Sequence, residues 1–337
     1  MTIEMERMRQ PRHLAGIEPP RVVTFRAMNT TMTMQLVGPG PGADAALAAA
    51  EDVFHRVEKA CTRFDPDSPL MHANAAADTW CTVPVECYIA LAEASRAHTE
   101  TGGLFDPRVL ESLVALGYDR TLPFDTGSVQ LGSGGASDVP RAQVQPVIGP
   151  WLPVFDEEAV AVRVGPRPID LGGIGKGLAV RWAAQALSGA GLAYLIEAGG
   201  DCYLGGNGPE DDGWRVGVEN PEGGNEPVAV LQLSDIGCAT SSLRVRAWRV
   251  DGRPVHHLID PRTGASSLGG LRSVTVLGPD TAWAEVWSKS LLIVGRSLIR
   301  ELAEQRGLAA MWVEDDGTVG QTSAMEPWVM WQALDGR

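Results

Sequence analysis

The chain has 337 residues, of which 44% are hydrophobic and 21% are charged, and its formal net charge at pH 7 is −14. These proportions are typical of a soluble globular protein with a sizeable core, and no apolar run approaches the roughly 20 residues of a transmembrane helix. The acidic balance disfavours nonspecific binding to nucleic acid, because neutralising phosphates needs a basic surface. We therefore expect neither nucleic-acid binding nor membrane insertion.

Residues 1–20 are polar, charged and proline-containing, which predicts a flexible N-terminal tail before a single domain over 21–337. The tail has neither the apolar core of a signal peptide nor the cysteine of a lipoprotein anchor. The cysteines are odd in number, widely spaced and without a C-x-x-C pair, which disfavours a disulfide framework or a zinc site. They are Cys61, Cys81, Cys87, Cys202 and Cys238. A cytoplasmic location is expected.

Hydrophobic periodicity and turn residues predict a mixture of helices and strands. In chain order the predicted elements are a strand or hairpin over Arg21–Val37, helices over Ala43–Thr62 and Pro84–Thr101, strands over Ala159–Val164 and Pro168–Leu171, a helix over Lys176–Ser188, strands over Leu192–Glu197, Trp214–Val218, Val228–Leu233, Leu243–Val250 and Leu271–Leu277, helices over Thr281–Val294 and Ser297–Arg306, and a hairpin over Ala309–Met325. Tyr118–Val147, rich in Gly, Ser, Pro and Asp, is predicted to be a loop insertion. The irregular order predicts an α+β fold, with mixed or antiparallel sheets packed against helices.

Only three of the 28 basic residues are lysines, and one of them, Lys176, lies among four glycines in the segment Asp170–Gly177. A compact ammonium on a flexible stem suits an anionic oxygen, and glycines let the backbone approach it closely. The segment is not a P-loop, because Asp170 and Gly177 stand where glycine and Ser or Thr are required, and it does not complete G-x-G-x-x-G. A phosphate site at the start of a helix is one interpretation. A glycine turn with an exposed lysine is the alternative.

Two further segments carry polar side chains that could do chemistry. Gly199-Gly200-Asp201 follows a predicted strand and places a carboxylate at its rim, although a solvated Asp in a turn is the simpler interpretation. His257 precedes Asp260 by three residues and is a candidate general base or hydroxyl-orienting group near neutral pH. A lone histidine is more often structural, so neither segment decides a function by itself.

The predicted helix Ala282–Leu292 carries Glu285, Ser288 and Lys289 at spacings of three and four, which place them on one face. A surface Glu–Lys pair at that spacing stabilises a helix by only about 0.3–0.5 kcal/mol. The neighbouring residues here are mostly apolar, however, which predicts a buried helix. We therefore expect its polar face to border a cleft.

Seven segments, in the same order along the chain, together resemble the motifs of the ApbE family, the FAD:protein FMN transferases. They are Met28–Thr30, Arg63–Asn74, Thr101–Pro107, Asp170–Gly177, Gly199–Asp201, Ala239–Ser241 and His257–Gly264. The resemblance covers the chain from about Arg21. It implies an ApbE-like fold related to the T-fold.

The resemblance implies transfer of FMN from FAD to a Thr or Ser hydroxyl of an acceptor protein with an FMN-binding-type flavinylation motif, with Mg²⁺ and release of AMP. It assigns catalytic roles to His257, Lys176 and Asp170. The FAD-binding residues that it implies are Met28, Phe64, Leu104, Phe105, Asp106, Asp170, Lys176, Thr240, Ser241, His257 and Leu258. Hydrolysis of FAD to FMN and AMP, and non-catalytic binding of FAD, are the alternative functions.

The chain departs from the family at the implied metal site. The resemblance places this site between the backbone near Gly173 and a helix with the pattern Ala-Asp-x-x-x-Thr. Here Glu285 replaces the Asp and Lys289 replaces the Thr, with Ser288 as a further oxygen. A charged lysine cannot bind a metal. Two hypotheses follow: the ammonium of Lys289 replaces part of the metal's charge, so that Mg²⁺ binds weakly or is dispensable, or the site is degraded and binds FAD without transferring it.

Overall fold

The computed structural model describes residues 18–124, 129–131, 145–244 and 246–333. Most of the predicted tail, residues 1–17, lies outside the described residues, so the tail and the domain bounds built on it stay predictions. The helices are α1 (Ala43–Cys61), α2 (Pro69–Ala76), α3 (Val85–Glu100), α4 (Leu110–Ala115), α5 (Gly175–Leu187), α6 (Thr281–Val294) and α7 (Ile299–Gln305). The strands are β1 (Arg21–Ala27), β2 (Thr30–Val37), β3 (Cys81–Thr82), β4 (Val129–Leu131), β5 (Val154–Asp156), β6 (Ala161–Arg163), β7 (Ala193–Ala198), β8 (Asp201–Gly205), β9 (Trp214–Val218), β10 (Ala229–Leu233), β11 (Ile236–Ser242), β12 (Ala247–Val250), β13 (Arg253–His256), β14 (Leu271–Gly278), β15 (Ala309–Glu314), β16 (Val319–Gln321) and β17 (Val329–Gln332).

A central sheet of eight strands in the order β1-β2-β7-β8-β11-β14-β15-β16 organises the fold. Neighbouring strands in it are antiparallel. Both faces of the sheet are buried: in β7, Ile196 and Ala198 face the core under the helices, whereas Ala193 and Leu195 face a second core. This follows from the two-residue period of a strand. The predicted α+β class with antiparallel sheets is confirmed.

Helices α1, α5 and α6 cover one face of the sheet, with α5 packed against both α1 and α6. The apolar positions of α1 recur at helical spacing, so that Leu47, Ala50, Phe54 and Val57 are buried together. The opposite face is covered by a three-stranded sheet in the order β17-β10-β9. Apolar burial on both faces removes the central strands from water. Side chains that contact a ligand must therefore come from the loops at the edge between the helices and the sheet.

Some predictions of secondary structure were wrong. Pro168–Leu171 is not a strand: it is an irregular segment whose Asp170 N–H donates to the carbonyl of Pro107, and Pro168 has no N–H for a ladder. Strand β8 was read as the rim of a glycine turn, and the Ala-Thr-Ser motif proved to lie in β11. In β11 the run Thr240-Ser241-Ser242 obscures the apolar pattern of a strand, and β8 begins directly after two glycines.

Part of the predicted loop insertion is ordered structure. Strand β4 pairs in parallel with β12, which also pairs with β13 to form a three-stranded sheet. Tyr118 and Leu122 are buried with Trp248 and Ile259 in a small core beside this sheet. The rest of the insertion, residues 125–128 and 132–144, lies outside the described residues. Residues 118–124 and 129–131 of the insertion therefore contribute to the wall of the fold.

All five cysteines are free, and four of them are buried. Cys202 and Cys238 face each other across β8 and β11 as small apolar side chains. In the described part of the chain, none of the helices is both long enough and apolar enough to cross a membrane.

Candidate functional site

Two adjoining cavities lie where the loops after α1, α3 and β12–β13 meet the start of α5. The first cavity is lined by residues that include Leu104, Phe105, His257, Leu258 and Lys289. The lining of the second includes Met28, Glu58, Cys61, Gly175 and Lys176. The residues shared by both cavities are Arg63, Phe64, Tyr118, Asp170, Gly172 and Arg246. The two cavities are thus the halves of one bipartite cleft with a common boundary.

Two guanidinium groups stand at this boundary, and we call Arg63 and Arg246 the arginine pair. Arg63 donates from Nη1 to the carbonyl of Tyr118 at 2.7 Å, and its Nε lies 3.5 Å from Oδ1 of Asp170. Its guanidinium packs over the rings of Phe64 and Tyr118, with centroid distances of 4.2 and 4.5 Å. Its Nη2 is buried without a hydrogen-bond partner in the described part of the chain. A buried donor without a partner is costly, and an acceptor on a ligand would satisfy it.

Arg246 carries the other guanidinium of the boundary. Across the described residues, its side chain forms no ion pair with a carboxylate. A guanidinium offers five N–H donors in a planar fork that matches phosphate oxygens. In a protein with a net charge of −14, an uncompensated arginine in a cleft indicates an anionic ligand.

His257 lies in the first cavity and is held in one tautomer. Its backbone N–H donates to the carbonyl of Arg246 at 3.2 Å, and its Nδ1 lies 3.3 Å from the same oxygen. Since a carbonyl only accepts, Nδ1 carries the proton and Nε2 keeps its lone pair. Burial, and then the positive charges of Arg246 and Lys289, hold the pKa of His257 well below its usual value. The imidazole is therefore neutral at pH 7 and can accept a proton.

Behind the cavities lies a group of four charged side chains, Lys176, Asp201, Glu285 and Lys289, which we call the buried ion cluster. Oε1 of Glu285 accepts from Nζ of Lys176 at 2.8 Å and from Nζ of Lys289 at 2.9 Å. Oε2 of Glu285 accepts from the backbone N–H of Gly177 at 2.8 Å. Lys176 also donates to Asp201. The two carboxylates are at most 2% exposed, whereas each ammonium borders one cavity.

The charges in the cluster set its protonation. Burial alone would raise the pKa of Glu285, but the ammonium groups of Lys176 and Lys289 outweigh it and lower the pKa to about 2. Burial, followed by repulsion from Glu285, raises the pKa of Asp201 to about 6. Burial opposes the charge on Lys176, yet the two carboxylates raise its pKa. With all four groups ionised, the cluster has no net charge.

Close backbone contacts at two glycines bring the start of α5, the glycine turn before it and α6 together. A Cβ on Gly177 would lie 2.5 Å from Cα of Ala282, so only glycine lets the start of α5 pack directly on α6. A Cβ on Gly173 would lie 2.9 Å from Cε2 of Phe105 and 3.5 Å from Cδ of Lys289. Gly173 therefore lets the ring and the lysine stem meet over the glycine turn.

Most of the residues implied for FAD binding line the cleft. They are Met28, Phe64, Leu104, Phe105, Asp106, Asp170, Lys176, His257 and Leu258. The carboxylate of Asp106 is already occupied by the backbone N–H and guanidinium of Arg108. Thr240 and Ser241 line neither cavity: Thr240 bonds to Thr275 at 2.9 Å and Ser241 to Ser288 at 2.8 Å, joining β11 to β14 and α6.

The side chains implied for Mg²⁺ do not form an oxygen cage. Both oxygens of Glu285 are engaged by cations and a backbone N–H. Oγ of Ser288 bonds to Ser241 and donates to the carbonyl of Glu285 at 3.0 Å, away from the cleft. Among the described residues, no three His, Cys, Asp or Glu side chains gather as a metal site. Gly173 and Lys289 do line the first cavity, but Lys289 offers only donors.

Sequence reasoning missed three residues of the boundary. Arg63 was identified only as the first residue of the Arg63–Asn74 motif. Arg246 was assigned to a predicted strand, and Tyr118 was the first residue of the predicted loop insertion. For Arg63 the signal was its position directly before the aromatic Phe64. For Arg246 and Tyr118 the local sequence gave no signal, because their place depends on the pairing of β4 with β12.

Comparison with known proteins gives consistent results. The model of the ApbE family matches residues 28–312. A protein of Klebsiella pneumoniae named FAD:protein FMN transferase is 25% identical over 302 residues, covering 88% of this chain and 85% of the relative. One of Treponema pallidum with the same name is 26% identical over 311 residues, covering 86% and 83%.

Solved structures show the same fold. The ApbE protein of Thermotoga maritima has a TM-score of 0.76 at 23% identity, covering 92% of this chain and 99% of that one. The flavinyl transferase ApbE of Pseudomonas stutzeri has a TM-score of 0.75 at 23% identity, covering 94% and 98%. Because the family match spans most of the sequence, with the cleft included, the chain belongs to the ApbE family.

Proposed function

We propose that the protein is an FAD:protein FMN transferase, which moves FMN from FAD to a Thr or Ser hydroxyl of an acceptor protein and releases AMP. One observation carries the proposal. The neutral imidazole of His257, whose Nε2 lone pair can accept a proton, stands in the same cavity as the ammonium of Lys289 and the guanidinium of Arg246, which forms no ion pair with the described residues. A base beside two phosphate-binding cations is the arrangement that attack of a hydroxyl on a phosphoanhydride needs.

The bipartite cleft fits a dinucleotide. FAD has two aromatic halves joined by a pyrophosphate, and the two cavities meet at the arginine pair. The pyrophosphate oxygens accept from Arg246 and from Nη2 of Arg63, a donor without a partner among the described residues. Phe64 lies on the same boundary and is half-buried, whereas Tyr118 is buried, so Phe64 is the ring that can contact an aromatic half of FAD.

The reaction follows from these positions. His257 accepts the proton of the acceptor hydroxyl at Nε2, and the hydroxyl oxygen forms a bond to the phosphorus next to riboflavin. The P–O bond to the AMP phosphate breaks, and AMP leaves with the electron pair of that bond. The cations at the boundary stabilise the charge that moves onto the leaving phosphate. Asp170, held by Arg63 and the N–H of Gly172, orients the guanidinium. The Mg²⁺ ligand set that the family implies does not fit, so no step involves it.

The acceptor that we propose is a domain with an FMN-binding-type flavinylation motif, because the product is a phosphoester on a protein hydroxyl. We place the reaction in the cytoplasm, where the free thiols of all five cysteines stay reduced.

Intact mass spectrometry tests the proposed function. The purified chain is incubated with FAD and an FMN-binding domain that carries an acceptor threonine, and AMP is measured by chromatography. We expect the acceptor to gain the mass of FMN less one water, with one AMP per label. FMN and AMP without a labelled acceptor would indicate hydrolysis, and bound FAD without AMP would indicate a binding protein.

A His257→Gln variant tests the base. The amide cannot accept and hold the hydroxyl proton, so transfer is expected to fall by about 10²- to 10⁴-fold. FAD affinity is expected to change little. An unchanged rate of labelling would remove His257 from the mechanism.

A further inference from the structure

The helix α6 presents its only carboxylate in a closed arrangement. Glu285 is 0% exposed, and each of its oxygens already accepts a donor: Oε1 from Lys176 and Lys289, and Oε2 from the N–H of Gly177. Mg²⁺ prefers near-octahedral oxygen ligands and sheds its waters reluctantly. To reach Glu285, the ion would have to displace an ammonium from a buried ion pair.

The net charge of the cluster disfavours a divalent cation. Lys176 and Lys289 balance Asp201 and Glu285, so an added Mg²⁺ would have no uncompensated carboxylate to neutralise it. It would also stand close to two ammonium groups inside a region of low dielectric constant, where like charges repel strongly. The cluster is complete without a metal.

Lys289 is held where a cation can act on the ligand. Its ammonium lies 2.9 Å from Oε1 of Glu285, its stem passes the glycine turn at Gly173, and its side chain is 15% exposed at the wall of the first cavity. His257 and Arg246 line the same cavity. An ammonium has three donors, and Glu285 takes one. The other two are available to a phosphate oxygen in the cavity.

We propose that Lys289 replaces the divalent metal in this protein, so that an ammonium tethered to Glu285 neutralises the pyrophosphate during transfer. The inference rests on the proposed function. Nζ of Lys289 donates to an oxygen of the phosphate that leaves as AMP, while the acceptor oxygen bonds to the other phosphorus and the anhydride P–O bond breaks. The proton of the acceptor goes to His257, and Lys289 stays charged throughout. FMN transfer is therefore independent of Mg²⁺.

The first arm of the test measures the metal itself. Mn²⁺, a spectroscopic substitute for Mg²⁺, is titrated into the FAD-loaded full chain and followed by electron paramagnetic resonance, and transfer is assayed with EDTA or with Mg²⁺. We expect no stoichiometric Mn²⁺ binding and the same transfer rate under both conditions. One Mn²⁺ bound per chain, with transfer abolished by EDTA and restored by Mg²⁺, would overturn the inference.

The second arm compares Lys289→Met with the matched control Lys59→Met, which changes a lysine on the exposed face of α1. Met keeps the length of the stem and removes the charge, and Glu285 keeps Lys176 as a partner. We expect Lys289→Met to lose about 100-fold or more of the transfer rate, while the control keeps it. Melting curves and FAD binding confirm that both variants fold. A fully active Lys289→Met variant in EDTA would contradict the proposal.

The two proposals fail in different ways. If the parent chain labels no acceptor at any Mg²⁺ concentration, the proposed function fails. The Mn²⁺ titration would still show whether the protein binds a divalent metal, because it needs no turnover.

Discussion

The buried ion cluster and the arginine pair border the same cleft, but they differ in how far their charges are paired within the protein. In the cluster, each positive charge has a carboxylate partner inside the protein, and the four groups sum to zero. At the boundary of the two cavities, Arg63 keeps one buried donor unsatisfied and Arg246 forms no ion pair with the described residues. The two carboxylates of the cluster support the fold, whereas the arginine pair and the remaining donors of Lys289 are available to a ligand.

This difference predicts which substitutions damage the fold and which damage binding. Removing a carboxylate from the cluster leaves a buried ammonium uncompensated in the empty protein. Removing the guanidinium of Arg246, which forms no ion pair with the described residues, should leave the empty protein nearly unchanged and affect only the complex.

Glu285→Ala tests whether the cluster supports the fold. Lys289 loses its partner and Lys176 keeps only Asp201, so the free energy of unfolding should fall by about 3–5 kcal/mol. Urea denaturation measures the change. The control is Glu210→Ala, which breaks a pair with Arg215 in which both side chains are 45% exposed; it should cost about 1 kcal/mol or less. Equal losses of unfolding free energy in the two variants would show that the buried cluster stabilises the fold no more than an exposed ion pair does.

Arg246→Met tests whether the boundary binds the anion. Loss of charged hydrogen bonds should weaken FAD binding by about 10- to 100-fold, with little change in the unfolding free energy. Titration calorimetry with FAD gives the affinity. Arg244→Met is the matched control, because Arg244 is exposed and paired with Glu219. If both variants bind FAD as the parent does, the arginine pair does not hold the pyrophosphate.

Gly177→Ala tests the close packing that joins the two regions. The new Cβ would meet Cα of Ala282, which is backbone, so α5 and α6 must separate at a cost of about 1–3 kcal/mol. Gly175→Ala, two residues earlier at the start of α5, meets nothing nearer than Cε of Met28 at 3.5 Å. It should stay within about 1 kcal/mol of the parent. Thermal unfolding of the pair separates a steric effect from a general cost of replacing glycine.

The pH dependence of transfer tests the state of His257, and the expected effect is small. A base with the ordinary pKa of about 6.5 would lose roughly fourfold in rate between pH 7.5 and 6. Because burial and neighbouring cations lower the pKa of His257, the base stays neutral over this range and the rate should change less than about twofold. A single-turnover rate at saturating FAD is the measurement.

The same lowered pKa has a consequence for stability. The unfolded chain binds a proton at His257 below about pH 6.5, whereas the folded chain, with its lowered pKa, binds this proton only at a lower pH. The unfolded state therefore holds more protons, and the contribution of His257 to stability falls as the pH drops below 6.5. In the transfer assay, a steep loss of rate near pH 6.5 would show that the imidazole of the folded protein becomes charged at that pH.

Periodicity and turn residues were enough to predict much of the fold and several of the site residues. The helices that carry Lys176 and Glu285 were predicted because their apolar residues recur at helical spacing. The pairing inside the cluster was only half visible: Glu285 and Lys289 are four residues apart, but Lys176 is 109 residues from Glu285. Spacing reports neighbours on one helix and carries no information on contacts between distant elements.

The boundary was harder to predict for the same reason. Arg246 reaches the cleft because β12 pairs with β4, a strand inside the predicted loop insertion. Thr240 and Ser241 show the converse, since a motif placed them at the site and their hydroxyls join strands and helix instead. Motif membership places a residue near a site, but its hydrogen bonds decide what it does there.

The scarcity of lysine has a practical consequence. Lys176 and Lys289 are held in ion pairs, and Lys59 is the one exposed lysine side chain. An amine-reactive dye or resin applied under mild conditions would thus find a single side chain to modify, on α1. The protein can be tethered or labelled there with its catalytic chemistry left untouched.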